Sequence, residues 1–333
     1  MKIGILSCGA VTPGGIGLDT LDSTWPQKQV DSGSGKHSYP VSLVDQTLPE
    51  LTRWGKEPRL RRASPIAYYM TEAASQALSS VPDIDLSRTG VIASFFLGCL
   101  VYSVRFYRQM TTEGRRFASP ILFPETVFNS PVSHLVSTLG TSGPVYSQVG
   151  DKSCWANSIR TAECWMRRGD VDNVLVIGAE EFDPYQLDAF HSAGWMRGNR
   201  FVVGEGAGAI LLTSKPSEQS VILDGLSDGH CYSSKSDALS AAFECFSEHP
   251  PETRVMPTAT NWVQQIESKV VADRLLPGIA HPTCEASTAS AAWDTIKAAK
   301  LIKDGTVGKV IVPYWGLSQQ FGAVRLTAPS LAS

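Results

Sequence analysis

The chain has 333 residues, 43% of them hydrophobic and 18% charged, with a formal net charge of −3. That length supports a large core, in one big domain or in two pseudo-equivalent halves. The balanced, slightly acidic composition gives no electrostatic case for nucleic acid, and no apolar run is long enough to span a bilayer.

Cys8, Cys99, Cys154, Cys164, Cys231, Cys245 and Cys284 are odd in number and scattered, and the histidines show no ligand spacing. This reads as a reducing cytoplasm, with neither a disulfide framework nor a metal site. Met1 to Leu6 leads straight into a strand and not into a signal peptide.

In chain order, Ile3 to Cys8 is an apolar strand, followed by a Gly-rich loop from Gly9 to Gly17. The loop lacks both the dinucleotide and the Walker spacing, so it reads as a tight turn, and no cofactor is expected. Residues 26–56 are polar and rich in turn formers, as in a surface excursion. Arg59, Arg61 and Arg62 precede Ser64-Pro65, a helix start with Pro at the first helical position. The helix then runs from about Ile66 to Leu78, with a core-facing stripe of Ala, Met and Leu. Val91 to Leu97 is a buried strand.

The most informative stretch is Gly143 to Glu181. Gly143-Pro144 opens a short strand, Val145 to Val149, which Gly150-Asp151 breaks. From Lys152 the apolar residues Ala156, Ile159, Ala162, Trp165 and Met166 fall near helical spacing, and Arg167-Arg168-Gly169 ends the helix. Val174 to Ile177 is a continuous apolar run, expected of a strand buried on both faces. A turn driving into a helix N-terminus suits a nucleophile, because free N–H groups and the helix dipole favour negative charge there. Asp183 to Met196 reads as a helix with an irregular connection, and Lys215 to Ser220 as a link.

This stretch resembles the nucleophile region of the β-ketoacyl synthases, of the thiolase-fold superfamily. Gly143-Pro144 on one side and Gly169, Asp172, Gly178 and Glu180 on the other give one gap-free register. Ser119-Pro120, Pro124, Asn129, His134-Leu135 and Gly143-Pro144 match a second pattern, and residues 200–212, with Gly204-Glu205-Gly206-Ala207-Gly208, match a third. The resemblance covers nearly the whole chain. It implies a five-layered α/β/α/β/α architecture of two pseudo-equivalent halves, residues 1–215 and a shortened 216–333. It also places Phe123, Pro124, Phe128 and Asn129 near a dimer interface and an acyl tunnel.

Condensing synthases need a Cys thiolate, two His residues and oxyanion donors. The register puts Lys152 at the family's Cys position, Thr258 and Glu285 at its His positions, and Ala280 at a Lys position. Gly316, Ser318 and Gln319 fall in a degenerate C-terminal Gly-rich loop. Four elements are altered while the scaffold motifs remain. The resemblance then implies a non-condensing subunit of the chain-length-factor type. Such a subunit pairs as a heterodimer with an active ketosynthase in type II polyketide, aryl polyene or fatty-acid-like synthesis. In that setting an acyl carrier protein is a direct or indirect partner. Arg105, Arg108, Arg115 and Arg116 offer one basic surface for it, although a solvated face is the plainer reading.

In the family the Cys and the second His face each other, so Lys152 and Glu285 are expected to pair. Two rival chemistries stay open: Lys152 as an amine nucleophile, and a dyad of Cys154 with His281 in a divergent acyltransferase. The dyad needs slips that both registers oppose.

Overall fold

The first apolar run extends beyond its expected end because Gly9 and Ala10 stay in the sheet. A Cβ at Gly9 would lie 2.0 Å from the Ala73 carbonyl oxygen, so glycine lets this strand press against the helix beside it. This is a computed structural model, and it describes residues 1–197, 201–247, 249, 252–258, 261–276 and 284–331. The strands are β1 (Ile3–Thr12), β2 (Gly15–Ile16), β3 (Lys28–Asp31), β4 (Ser38–Ser42), β5 (Thr89–Phe95), β6 (Val145–Val149) and β7 (Asn173–Glu180). They continue as β8 (Val203–Gly204), β9 (Gly206–Thr213), β10 (Val221–Leu226), β11 (His230–Cys231), β12 (Arg254–Val255), β13 (Lys309–Trp315) and β14 (Gln320–Thr327). The helices are α1 (Pro49–Thr52), α2 (Pro65–Ser79), α3 (Leu100–Thr112), α4 (Ser130–Leu139), α5 (Cys154–Arg167), α6 (Tyr185–Ser192), α7 (Lys235–Ser247), α8 (Asn261–Val271) and α9 (Ser287–Lys303).

The main sheet runs β12-β13-β14-β10-β1-β9-β7-β5-β6. Read outward from the antiparallel β1–β10 junction, each side makes two antiparallel pairings and then a parallel one. The backbone therefore repeats a topology that the sequence does not repeat. The first side adds β6, parallel to β5, and among the described residues the second side has no counterpart to it.

Helices α5 and α9 touch each other and pack against strands of both sides, so they form the inner layer. Helix α2, with α4 against it, covers β1, β7 and β9. Helices α7 and α8 share a hydrophobic cluster with Ile311, Trp315, Phe321 and Ala323 of β13 and β14. The layers are α/β/α/β/α. Every residue of α9 from Ser287 to Ala299 is buried, which its Ala, Ser and Thr content makes possible by letting neighbours approach closely.

Helix α2 begins at Pro65 as expected, but its cap is distant. Ser64 donates its hydroxyl to Glu181, and the same carboxylate accepts the N–H groups of Ile66 and Val101. One buried acid thus satisfies the N-termini of α2 and α3. The polar excursion contains a β3–β4 hairpin whose second strand pairs with β8. Helix α6 stops at Ser192, short of the expected Met196. Among the described residues no helix is long and apolar enough to cross a membrane.

Candidate functional site

Strand β6 ends at Val149, and Gly150 turns the chain toward α5. A Cβ on Gly150 would meet the Cys154 Cβ at 2.8 Å, so glycine permits the close approach. Asp151 accepts the backbone N–H and hydroxyl of Ser153 at 3.1 and 2.8 Å, fixing an acid at the positive end of the helix. The turn drives Lys152 inward, where it is only 2% exposed.

The Lys152 Nζ donates to Asp294 Oδ2 at 2.8 Å and approaches Glu285 Oε2 at 3.5 Å. The structure therefore brings Lys152 and Glu285 together, and adds a nearer acid that sequence reasoning missed. Asp294 lies on α9. Glu285 lies just before that helix and is held by backbone bonds to Val202 and Gly204. Burial opposes the charge on Lys152, but Asp294 and then Glu285 outweigh it and hold the ammonium well above its ordinary pKa. An amine kept protonated has no lone pair to attack with. Burial pushes the Glu285 carboxyl up, Lys152 pulls it down, and Asp294 adds to the rise.

Thr258 is buried and bonded to an acid. Its N–H and hydroxyl donate to Glu267 at 3.1 and 2.6 Å, and Trp315 Nε1 donates to the same carboxylate at 3.2 Å. Burial raises Glu267 to about 7, against its bonds to Thr258 and Trp315 and the attraction of Lys152. Glu267 was the second functional-looking acid that the sequence did not single out. Cys154 lies buried in the first turn of α5, and burial with the nearby Asp151 and Glu180 carboxylates pushes its thiol up to about 12. His281, Ala280 and the rest of 277–283 lie outside the described residues.

The C-terminal loop closes over this turn. Ser318 donates its N–H to Asp151 Oδ2 at 2.8 Å, and Tyr232 donates its hydroxyl to the Gly316 carbonyl at 3.1 Å. Gln319 adopts the left-handed region, with φ of 62°.

Phe123, Pro124, Phe128 and Asn129 are exposed. Phe128 lies 6.5 Å from Phe95, ring to ring, and covers Gly98, where a Cβ would collide with it at 2.4 Å. Phe95 pairs with Val149, so this surface adjoins β6. That strand is the outer edge of the main sheet, and Val145, Tyr146 and Val149 are 45, 49 and 52% exposed.

A family profile for 3-oxoacyl-[acyl-carrier-protein] synthase III matches residues 152–228. No curated protein matches the sequence. Among solved structures, the ishigamide ketosynthase/chain length factor superposes with a TM-score of 0.81 at 17% identity, covering 98% of this chain and 99% of that one. A type II polyketide synthase acyl-carrier protein in complex with its ketosynthase gives 0.77 at 13% identity, over 98% and 99% of the two chains. A β-ketoacyl synthase from Burkholderia phymatum STM815 gives 0.76 at 15% identity, again over 98% and 99%. The chain therefore has the thiolase-like fold of the β-ketoacyl synthases and is similar to ketosynthase/chain-length-factor proteins.

Proposed function

We propose that this chain is a non-catalytic ketosynthase-like subunit of the chain-length-factor type. It pairs with an active ketosynthase and shapes the acyl tunnel in type II polyketide, aryl polyene or fatty-acid-like synthesis. One observation carries the reading: the position that matches the family's nucleophile is a buried lysine tied to two carboxylates. A protonated amine, a threonine bonded to an acid and a buried Glu supply neither the thiolate nor the bases that condensation needs. The halves 1–215 and 216–333 are our division of the chain, with the second half trimmed.

Pairing is supported by where the apolar surface lies. Nine of the twelve exposed large hydrophobic side chains among the described residues fall between Tyr107 and Val149, which concentrates them beside the open edge of β6. The test is intact-mass spectrometry after incubation with an acyl-loaded carrier protein, alone and with a candidate ketosynthase. The reading requires the acyl mass on the partner and none on this chain.

The alternative is a divergent acyltransferase acting through Cys154 or Lys152. It requires acyl mass on the isolated chain, mapped to one of those residues. Burial of the Cys154 thiol, pushed up to about 12, weighs against it.

A further inference from the structure

A cavity of about 360 Å³ opens on the second side of the molecule, between the end of α7 and strands β10, β13 and β14. Its size is within the range of small-molecule sites. None of its lining residues belongs to the Lys152 cluster, to the Thr258–Glu267 pair or to the 316–319 loop. Buried Ile311, Ala323 and Val324, with half-buried Leu226, give it an apolar floor.

Arg325 of β14 supplies the cation. A guanidinium has five N–H donors and no acceptor. Here Nε donates to Asp224 Oδ2 at 2.6 Å, Nη2 to the Asp224 carbonyl at 3.0 Å, and Nη1 to His249 Nδ1 at 2.7 Å. The group can only donate, so His249 accepts through Nδ1 as a neutral ring and its Nε2, 3.4 Å away, carries the proton. Nη1 and Nη2 therefore each keep a second N–H without a protein acceptor among the described residues. Two donors on one planar cation suit a carboxylate. Arg274, 9% exposed, donates to the carbonyls of His249 and Phe246 at 3.2 and 2.8 Å. Around His249, two arginines stand against one aspartate, a surplus of one positive charge among the described residues.

The rim has the opposite balance. Glu244 and Asp228 are both exposed there, against Arg160, which reaches Asp228 at 3.4 Å. Arg325 pairs with Asp224 and with neither rim acid, so the two signs share one cavity without cancelling at contact. Glu244 is the acid left for a ligand, because Asp228 already has a partner.

We propose that this cavity binds a free amino acid with an apolar side chain. Arg325 takes its carboxylate, Glu244 takes its ammonium, and the floor of Ile311 and Val324 takes its side chain. A ligand with both charges and an apolar group is the one that satisfies all three parts of the lining. The site is separate from the ketosynthase-like pocket, and the inference goes beyond the pairing of this subunit.

The test is isothermal titration calorimetry of the full chain with L-leucine, L-valine and L-phenylalanine, each up to about 10 mM. At least one of them is expected to bind. Its amide lacks the carboxylate, and its deaminated acid lacks the ammonium. Each should bind at least about tenfold more weakly, the loss of one hydrogen-bonded charge. Glu244→Gln, on the exposed rim, should lose the preference over the deaminated acid and keep the preference over the amide. Arg325→Gln should do the reverse. Circular dichroism checks that this variant folds, and if it does not, Glu244→Gln decides. No binding of any of the three, by calorimetry or by a shift in unfolding temperature, overturns the site. Equal binding of amino acid, amide and deaminated acid overturns the recognition of both charges. Full discrimination retained in Glu244→Gln places the amino acid elsewhere and overturns the assignment. Gel filtration with a ketosynthase reads pairing separately, so each of these failures leaves the proposed function standing.

Discussion

The Lys152 ammonium lies closer to Asp294, at 2.8 Å, than to Glu285, at 3.5 Å. One cation thus faces two buried carboxylates. Glu285 Oε1 and Asp294 Oδ1 have no hydrogen-bond partner within the protein. Lys152 bridges the two acids, with the Ser287 backbone also favouring the Glu285 carboxylate and Lys297 also attracting Asp294.

Removing the cation should therefore be severe. Lys152→Met strands two buried acids and is expected to cost about 3–5 kcal/mol, the range for breaking a buried ion pair from one side. Adding Glu285→Gln and Asp294→Asn removes the stranded charges, so the triple variant should recover part of that loss. Urea unfolding of the three proteins checks the order. Equal stability of Lys152→Met and the native chain would mean that the acids do not need the lysine.

The sequence made half of this cluster legible. Lys152 was reachable because a gap-free register between Gly143-Pro144 and Gly169 fixes its place in the turn. Glu285 was reachable because it immediately precedes a small-residue helix. Asp294 was not, because α9 is buried on all sides over most of its length and so has no polar face to mark which residue points where. Glu267 was hidden for the opposite reason: it sits in a helix with ordinary polar residues around it, Gln264 and Ser268 among them. Strand β6 was read with its observed bounds, Val145–Val149. The β3–β4 hairpin is hard to read from sequence because its strands are short and carry only Val30, Tyr39 and Val41 as an apolar set among polar residues.

Four buried acids set a pH dependence. Burial raises Glu180 to about 8 and Glu181, Glu205 and Glu267 to about 7, from 4.5. Each holds its proton more tightly in the folded state. The folded state therefore binds more protons than the unfolded one across this interval, and stability falls as pH rises through it. The depressed Asp45, Asp85, Asp172, Asp188 and Asp237 act below this window, and the raised Lys152 acts above it. The urea midpoint should drop steadily between about pH 5 and pH 8. A midpoint that climbs over the same interval would show that these carboxyls are not raised.

Gly178 tests the inner layer. A Cβ there would lie 2.1 Å from the Thr288 carbonyl oxygen, which is backbone and cannot swing aside. Gly178→Ala must push β7 away from α9, at a cost of about 3 kcal/mol. Gly169 is a useful contrast: its φ of 77° is left-handed, and nothing lies within 4 Å of a Cβ. Gly169→Ala should cost only the backbone term, about 1–2 kcal/mol. Thermal or urea unfolding ranks the two, and the reverse order would place the β7–α9 contact elsewhere.

The open edge of β6 tests pairing. Val149 is 52% exposed on a strand that pairs on one side only, beside a surface rich in exposed aromatics. A lysine on such an edge blocks strand addition and puts a charge into an apolar contact. Val149→Lys should leave the subunit folded, since exposed substitutions usually change stability by less than about 0.5 kcal/mol. It should weaken binding to a ketosynthase at least about tenfold, or about 1.4 kcal/mol. Circular dichroism checks the first expectation and analytical gel filtration with the ketosynthase checks the second. Tyr146→Lys, three residues back on β6 and so on the opposite face of the strand, tests the same open edge from its other side. If both variants stay folded and pair with unchanged affinity, the apolar edge is not the contact, and pairing through this face is wrong.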